Sequence, residues 1–240
     1  MENSEFYLGI ETSGLSGSIA VCSQGQQIIP VALPQQGRKH AQTLVLEVQN
    51  LLKQLEITPQ QVAGVGVSRG PGSFTGLRIG IAFAKTFGYV TGAPVLGIDT
   101  FEAIAQTCPP EIKETWVISN AQRGDLFAGK YTRTNEQCWK QTAEIVIRDA
   151  TEFVNSLKPG TAICGPGISL LDRYALTELQ FKETSLQLLA SQVAEITARL
   201  LRQNDSPKSE TWSLTPFYIR KSAAEEKWDA RHDLRNRTVS

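Results

Sequence analysis

The residues in this chain best suited to chemistry lie in two short stretches. The first, residues 68–80, reads Ser68-Arg69-Gly70-Pro71-Gly72-Ser73-Phe74-Thr75-Gly76-Leu77-Arg78-Ile79-Gly80, a strand end that runs through a glycine turn into a helix. The leading amides of a helix have no partner inside it, so together with the helix dipole they could hold an anion. On that reading Gly70, Gly72 and Ser73 approach a phosphate. The Walker lysine is missing, however, and the glycine spacing is not the dinucleotide fingerprint. The same residues also support a packing reading, in which Gly70, Pro71 and Gly72 make a tight turn and Ser73 caps the helix. Gly76, Gly80 and Ala84 then form a ridge of small side chains that lets a second helix approach closely. Both readings stay open, with packing ahead.

The second stretch, Leu8-Gly9-Ile10-Glu11-Thr12-Ser13, ends a strand on one carboxylate and two hydroxyls. In nucleotide-clamping folds such a turn meets a phosphate or a metal-bound water, which makes Glu11, Thr12 and Ser13 candidates for that role. Equally, short polar side chains at a turn often satisfy their own backbone.

Other chemistries lack their residues. A metal-binding helix that begins at His40 needs a second histidine one turn later, and that position is Leu44. The only other histidine is His232. No Gly-x-Ser-x-Gly elbow occurs, and two distant histidines give a serine or cysteine triad little support. Cys22, Cys108, Cys138 and Cys164 show no Cys-x-x-Cys spacing, so they read as buried reduced thiols.

The elements that must position these residues follow from periodicity. Strands are expected at 6–11, 18–23 and 26–33, with glycines marking the turns between them. Leu44, Val48, Leu51, Leu52 and Leu55 fall on one helical stripe within 39–55. A strand at 62–68, a helix at about 74–90 and a strand at 95–98 complete an α/β unit. A weaker copy follows, with strands near 115–119, 125–132 and 139–147, a helix at 150–157 and a strand at 162–164. An amphipathic helix at 185–202, a polar break and an extended segment at 213–220 close the pattern. The order implies two lobes of related architecture, 1–104 and 105–210, followed by a tail, 211–240, that packs back on them.

Composition sets the outer limits. With 240 residues, 41% of them hydrophobic, the chain can bury one large core or two small ones. Lys+Arg and Asp+Glu both number 24, so no global field draws it to a polyanion. The acidic, polar first residues do not read as a signal peptide, and the best apolar run, near 80–90, is cut by Lys85 and Gly88. A soluble, cytoplasmic protein is expected.

Together these segments resemble the bacterial TsaB (YeaZ) family of tRNA threonylcarbamoyladenosine biosynthesis proteins. The resemblance rests on residues 8–21, with Glu11 where most relatives carry aspartate, on His40 with Leu44, and on the specific run 69–80. It rests also on Gly97-Ile98-Asp99-Thr100-Phe101-Glu102-Ala103, on Asn120-Ala121-Gln122-Arg123-Gly124-Asp125-Leu126-Phe127, with Asn120 in place of the usual aspartate, and on Pro216-Phe217-Tyr218-Ile219-Arg220 with Glu225 and Trp228. It implies an actin-like, hexokinase-like fold of two ribonuclease-H-like lobes with mixed sheets. It further implies a non-catalytic subunit that binds the catalytic homologue TsaD and the ATPase TsaE, meets tRNA only through that complex, and leaves ATP and metal to its partners. The expected docking face is formed by the helices of 40–55 and 74–90, through His40, Leu44, Leu51, Phe74, Gly76, Leu77, Gly80 and Ile81. An apolar face of that kind would also let the isolated chain pair with itself. Two rival functions remain on the residues alone: an autonomous ATPase or kinase built on Glu11, Thr12 and the Gly70–Gly72 turn, and a metallopeptidase, which the missing second histidine opposes.

Overall fold

The computed structural model describes residues 5–14, 16–23, 26–33, 40–135, 138–171, 180–182, 189–203, 212–220 and 228. Three strands open it, β1 (Phe6–Glu11), β2 (Ser18–Ser23) and β3 (Gln26–Ala32), followed by helix α1 (His40–Gln54). Next come β4 (Val62–Gly70), α2 (Phe74–Thr91), β5 (Val95–Asp99) and a short helix, α3 (Thr100–Ala105). The second half holds β6 (Glu114–Gln122), β7 (Asp125–Asn135), β8 (Cys138–Asp149), α4 (Ala150–Asn155), β9 (Ala162–Cys164), β10 (Gln180–Lys182) and α5 (Ala190–Arg202).

The two halves repeat one sheet plan. The first sheet runs β3-β2-β1-β4-β5 and the second β8-β7-β6-β9-β10. In each, three meander strands pair antiparallel and the last two join in parallel beside the first meander strand. The expected duplication is therefore present. It follows from chain order, since sequential meander strands pair by hairpins whereas β4 and β9 need a crossover to lie parallel.

Side-chain alternation along β1 assigns its two faces. Leu8 and Ile10 enter a core with Leu44, Val48, Leu51 and Leu52 of α1 and with Ile81 and Ala84 of α2. Tyr7 points the other way, against Ala194 and Ala198 of α5. Gly9 permits that approach, because a side chain there would run into the α5 backbone at Ala190 and Ala194.

α5 is buried on both sides. Its alanines lie on the first sheet, while Leu189, Val193 and Ile196 join a second core with Phe101, Ile104, Phe127 and Tyr131. The helix expected at 185–202 thus contacts both sheets. Small residues on one stripe and large ones on the other let a single helix seal both sheets. Residues 183–188 lie outside the described residues. Among the described residues no helix is long and apolar enough to cross a membrane.

Candidate functional site

β1 and β4 are parallel neighbours, with Ile10 opposite Val67, so the turn after Glu11 and the loop after Gly70 emerge side by side. The chain thus brings its two candidate stretches together. They meet in direct contact: the Ser73 N–H donates to the Ser13 carbonyl at 2.6 Å. Ser73 Oγ accepts from the Gly76 N–H at 3.3 Å and so caps α2, as its sequence position foretold. The Gly70 N–H donates to Thr100 Oγ1 at 3.1 Å.

The glycine ridge faces inward. A Cβ on Gly72 would come within 2.5 Å of Ser13 Cβ, and one on Gly76 would overlap the Thr12 carbonyl oxygen. A Cβ on Gly80 would overlap Thr12 Oγ1. The small residues of α2 therefore admit the chain's own first turn rather than a neighbour's helix. The amides of Gly70, Ser73 and Gly76 already donate inside the protomer, so Glu11, Thr12, Ser13, Gly70, Gly72 and Ser73 pack together along one seam.

Glu11 is wholly buried in that seam. Its Oε1 accepts the Ser13 N–H, while Oε2 has no hydrogen-bond partner among the described residues. Burial holds its pKa above the ordinary carboxylate value, and hydrogen bonds from Ser13, Ser68 and Gly14 only partly oppose that rise. Thr12 Oγ1 is likewise buried without a described partner.

The expected docking residues are distributed otherwise than the sequence suggested. Leu44 is 1% exposed, Leu51 1%, Leu77 0% and Ile81 5%, so all four are core residues of the protomer. They cannot also be the surface that a partner covers. Periodicity finds a helix's apolar stripe but does not say whether its own sheet or another chain buries it, and here the first sheet does. Phe74 is half-buried. His40 begins α1, and its side chain lies outside the described residues. Among the described residues, the large apolar side chains these two helices expose are Val45 (57%), Leu46 (52%), Tyr89 (75%) and Val90 (69%).

A polar cluster between the sheets was not singled out from the sequence. Asp99 Oδ1 accepts the N–H groups of Phe101 (2.8 Å) and Glu102 (3.4 Å) and so caps α3, while its Oδ2 accepts the Tyr131 hydroxyl at 2.7 Å. Burial raises the Asp99 pKa, against the pull of Tyr131, the two amides and the positive charge of Arg69. Burial, reinforced by the nearby Asp99 charge, also raises that of the Tyr131 phenol. One turn along α3, Glu102 pairs with Arg199 of α5 at 3.0 Å. The signal for α3 was available: Asp99 followed three residues later by Glu102 is a helix-start pattern.

Among the described residues, no group of three or more His, Cys, Asp and Glu side chains gathers as a metal site would. The comparisons with known proteins fall on the same architecture. The family model described as TsaD, tRNA N6-adenosine threonylcarbamoyltransferase, matches residues 28–182. The tRNA threonylcarbamoyladenosine biosynthesis protein TsaB of Buchnera aphidicola is 26% identical over 85% of this chain and 97% of its own length. That of Bacillus subtilis is 22% identical over 92% of this chain and 96% of its own. The solved structure of YeaZ from Pseudomonas aeruginosa superposes with a TM-score of 0.72 at 17% identity, covering 89% of this chain and 99% of that one. With its twin mixed sheets in the actin-like arrangement, the chain belongs to the TsaD family, in the branch that holds the TsaB (YeaZ) proteins.

Proposed function

We propose that this chain is an accessory subunit in the cytoplasmic synthesis of threonylcarbamoyladenosine on tRNA, one that binds and supports the catalytic subunit TsaD together with TsaE and carries no catalytic group of its own. The observation that carries this reading is the closed seam between Ser13 and Ser73. In an actin-like fold the turn after the first strand and a neighbouring loop would face a nucleotide, whereas here they hydrogen-bond to each other. The TsaB names of relatives that match nearly end to end support the pathway.

On this reading, ATP and metal belong to the partner subunits, and tRNA meets this chain through the complex. Docking uses the exposed side chains of α1 and α2, Val45, Leu46, Tyr89 and Val90, with Phe74 at the edge. Tyrosine suits the desolvated centre of an interface, and the aliphatic groups add apolar area for a partner to cover. In the absence of its partner, the same patch pairs weakly with a second copy.

The test is reconstitution by omission. Purified TsaD, TsaE and the enzyme that makes threonylcarbamoyl-adenylate are mixed with tRNA, with and without this chain. Modified adenosine should form only in the complete mixture. Full activity without the chain would refute the assignment.

A further inference from the structure

Residues 212–220 bridge the two sheets along the outer surface. Against the first lobe they run antiparallel to α2. The Trp212 ring meets Tyr89 edge-on at 5.8 Å, and the Trp212 carbonyl accepts from Lys85 Nζ at 2.8 Å. Farther along, the Tyr218 ring stacks on Phe74 at 4.3 Å, and its hydroxyl accepts from Arg78 Nε at 2.8 Å. Between these anchors the Phe217 N–H donates to the Arg69 carbonyl at 2.7 Å, and a side chain at Gly70 would come within 2.5 Å of the Phe217 carbonyl oxygen.

Two residues later the same segment is fixed to the second lobe. Arg220 Nη1 donates to the Ala121 carbonyl at 2.5 Å, and Nη2 pairs with Asp125 Oδ2 at 2.5 Å. Both partners flank the tight β6–β7 turn, and Ile219 packs into the core around Phe127 and Tyr131. That guanidinium–carboxylate pair is about one quarter exposed on each side, so it is less screened than a fully exposed pair.

We propose that residues 212–220 form a clasp that sets the angle between the two lobes, anchored on α2 through Tyr218 and Arg78 and latched on the β6–β7 turn through Arg220. Among the described residues, other polar links between the lobes include Asp99 to Tyr131, Glu102 to Arg199 and the Ala190 N–H to Ser18 Oγ beside the sheets and α5, and the more exposed pair of Arg202 with Glu5. The clasp differs from them in holding both lobes through one short stretch of chain. Lobe opening must stretch the segment between Tyr218 and Arg220, and there is one intervening residue to absorb the motion. The clasp concerns the mechanics of this chain and stands whether or not the proposed function does.

The test reads one end of the clasp while the other is cut. Tyr218→Ala removes the stack and the hydrogen bond on α2 and touches nothing on the second lobe. Amide hydrogen exchange of the full chain should then quicken about fivefold across 119–127, the change expected when a net hydrogen bond is lost from a coupled unit. Arg220→Ala should quicken the Phe217 amide and the amides of 69–74 to a similar degree. In both variants α1 should keep its protection. If either substitution loosens only its own end, the two ends are independent and the clasp is refuted. Equal acceleration in α1 would mean general loosening, and it too counts against the proposal.

Discussion

The Ser73 amide donates to the Ser13 carbonyl across 2.6 Å, joining the glycine loop to the first-strand turn. That bond converts two stretches that resemble a ligand cradle into a seam. Its neighbours make it tight, since Gly72 and Gly76 admit Ser13 and Thr12 with no room for a side chain.

Gly76→Ala should therefore act on folding before it acts on any partner. The new methyl overlaps the Thr12 carbonyl, and overpacking of this kind costs about 1–3 kcal/mol. Urea denaturation of the isolated protein measures it. An arginine at Gly76 or Gly80 would disrupt the seam outright, so loss of partner binding by such a variant would say nothing about docking.

Core and surface positions on α1 should separate cleanly. Leu44→Ala opens a cavity in the first core and should cost about 2–5 kcal/mol. Val45→Ala and Leu46→Ala alter exposed side chains and should shift stability by no more than about 0.5 kcal/mol. They should nevertheless weaken retention of the chain by immobilised TsaD. If the surface variants bind TsaD as the wild type does, the proposed face lies elsewhere.

Glu11 predicts a pH dependence with a definite sign. Burial raises its folded-state pKa, so the neutral acid is favoured in the fold and the folded state binds the proton more tightly. The stability it contributes is fully present below the unfolded value, about 4.3, and is lost as pH rises through the higher folded value. Glu11→Gln keeps an oxygen that can accept the Ser13 N–H and carries no proton to lose. Its urea midpoint should fall less than that of the wild type between mildly acidic and neutral pH, and it should be the more stable protein at pH 8. An unchanged pH slope in the variant would remove Glu11 from the account.

Tyr131→Phe should leave Asp99 Oδ2 without its hydroxyl donor while keeping the ring in the second core. An unsatisfied buried acceptor costs about 1–3 kcal/mol, so thermal stability should drop by that amount. A variant as stable as the wild type would show that another donor replaces the hydroxyl.

Much of the architecture was legible because its signals are local. Leu8 and Ile10 alternate with Tyr7 and Gly9, Ser73 sits where a cap belongs, and the strand expected at 162–164 is present. The repeated sheet order followed from those elements. Less legible was anything decided by what an element packs against. Leu44 and Leu51 fall on the apolar stripe of α1, and Ile81 on that of α2, yet only the fold says that the first sheet covers them. α5 likewise reads as one amphipathic helix, because the alanines that fit it to Tyr7 and Gly9 look like its polar side. Pairings such as Asp99 with Tyr131 and Arg78 with Tyr218 join residues far apart in the chain and leave no mark in spacing.

The central claim is that this chain contributes a surface and not a reactive centre. Titrating ATP with magnesium into the purified protein, followed by assay of the same sample for nucleotide hydrolysis and tRNA modification, tests it most directly. The closed Ser13–Ser73 seam predicts no saturable heat and no turnover. Tight binding accompanied by turnover at an enzyme's rate would contradict it.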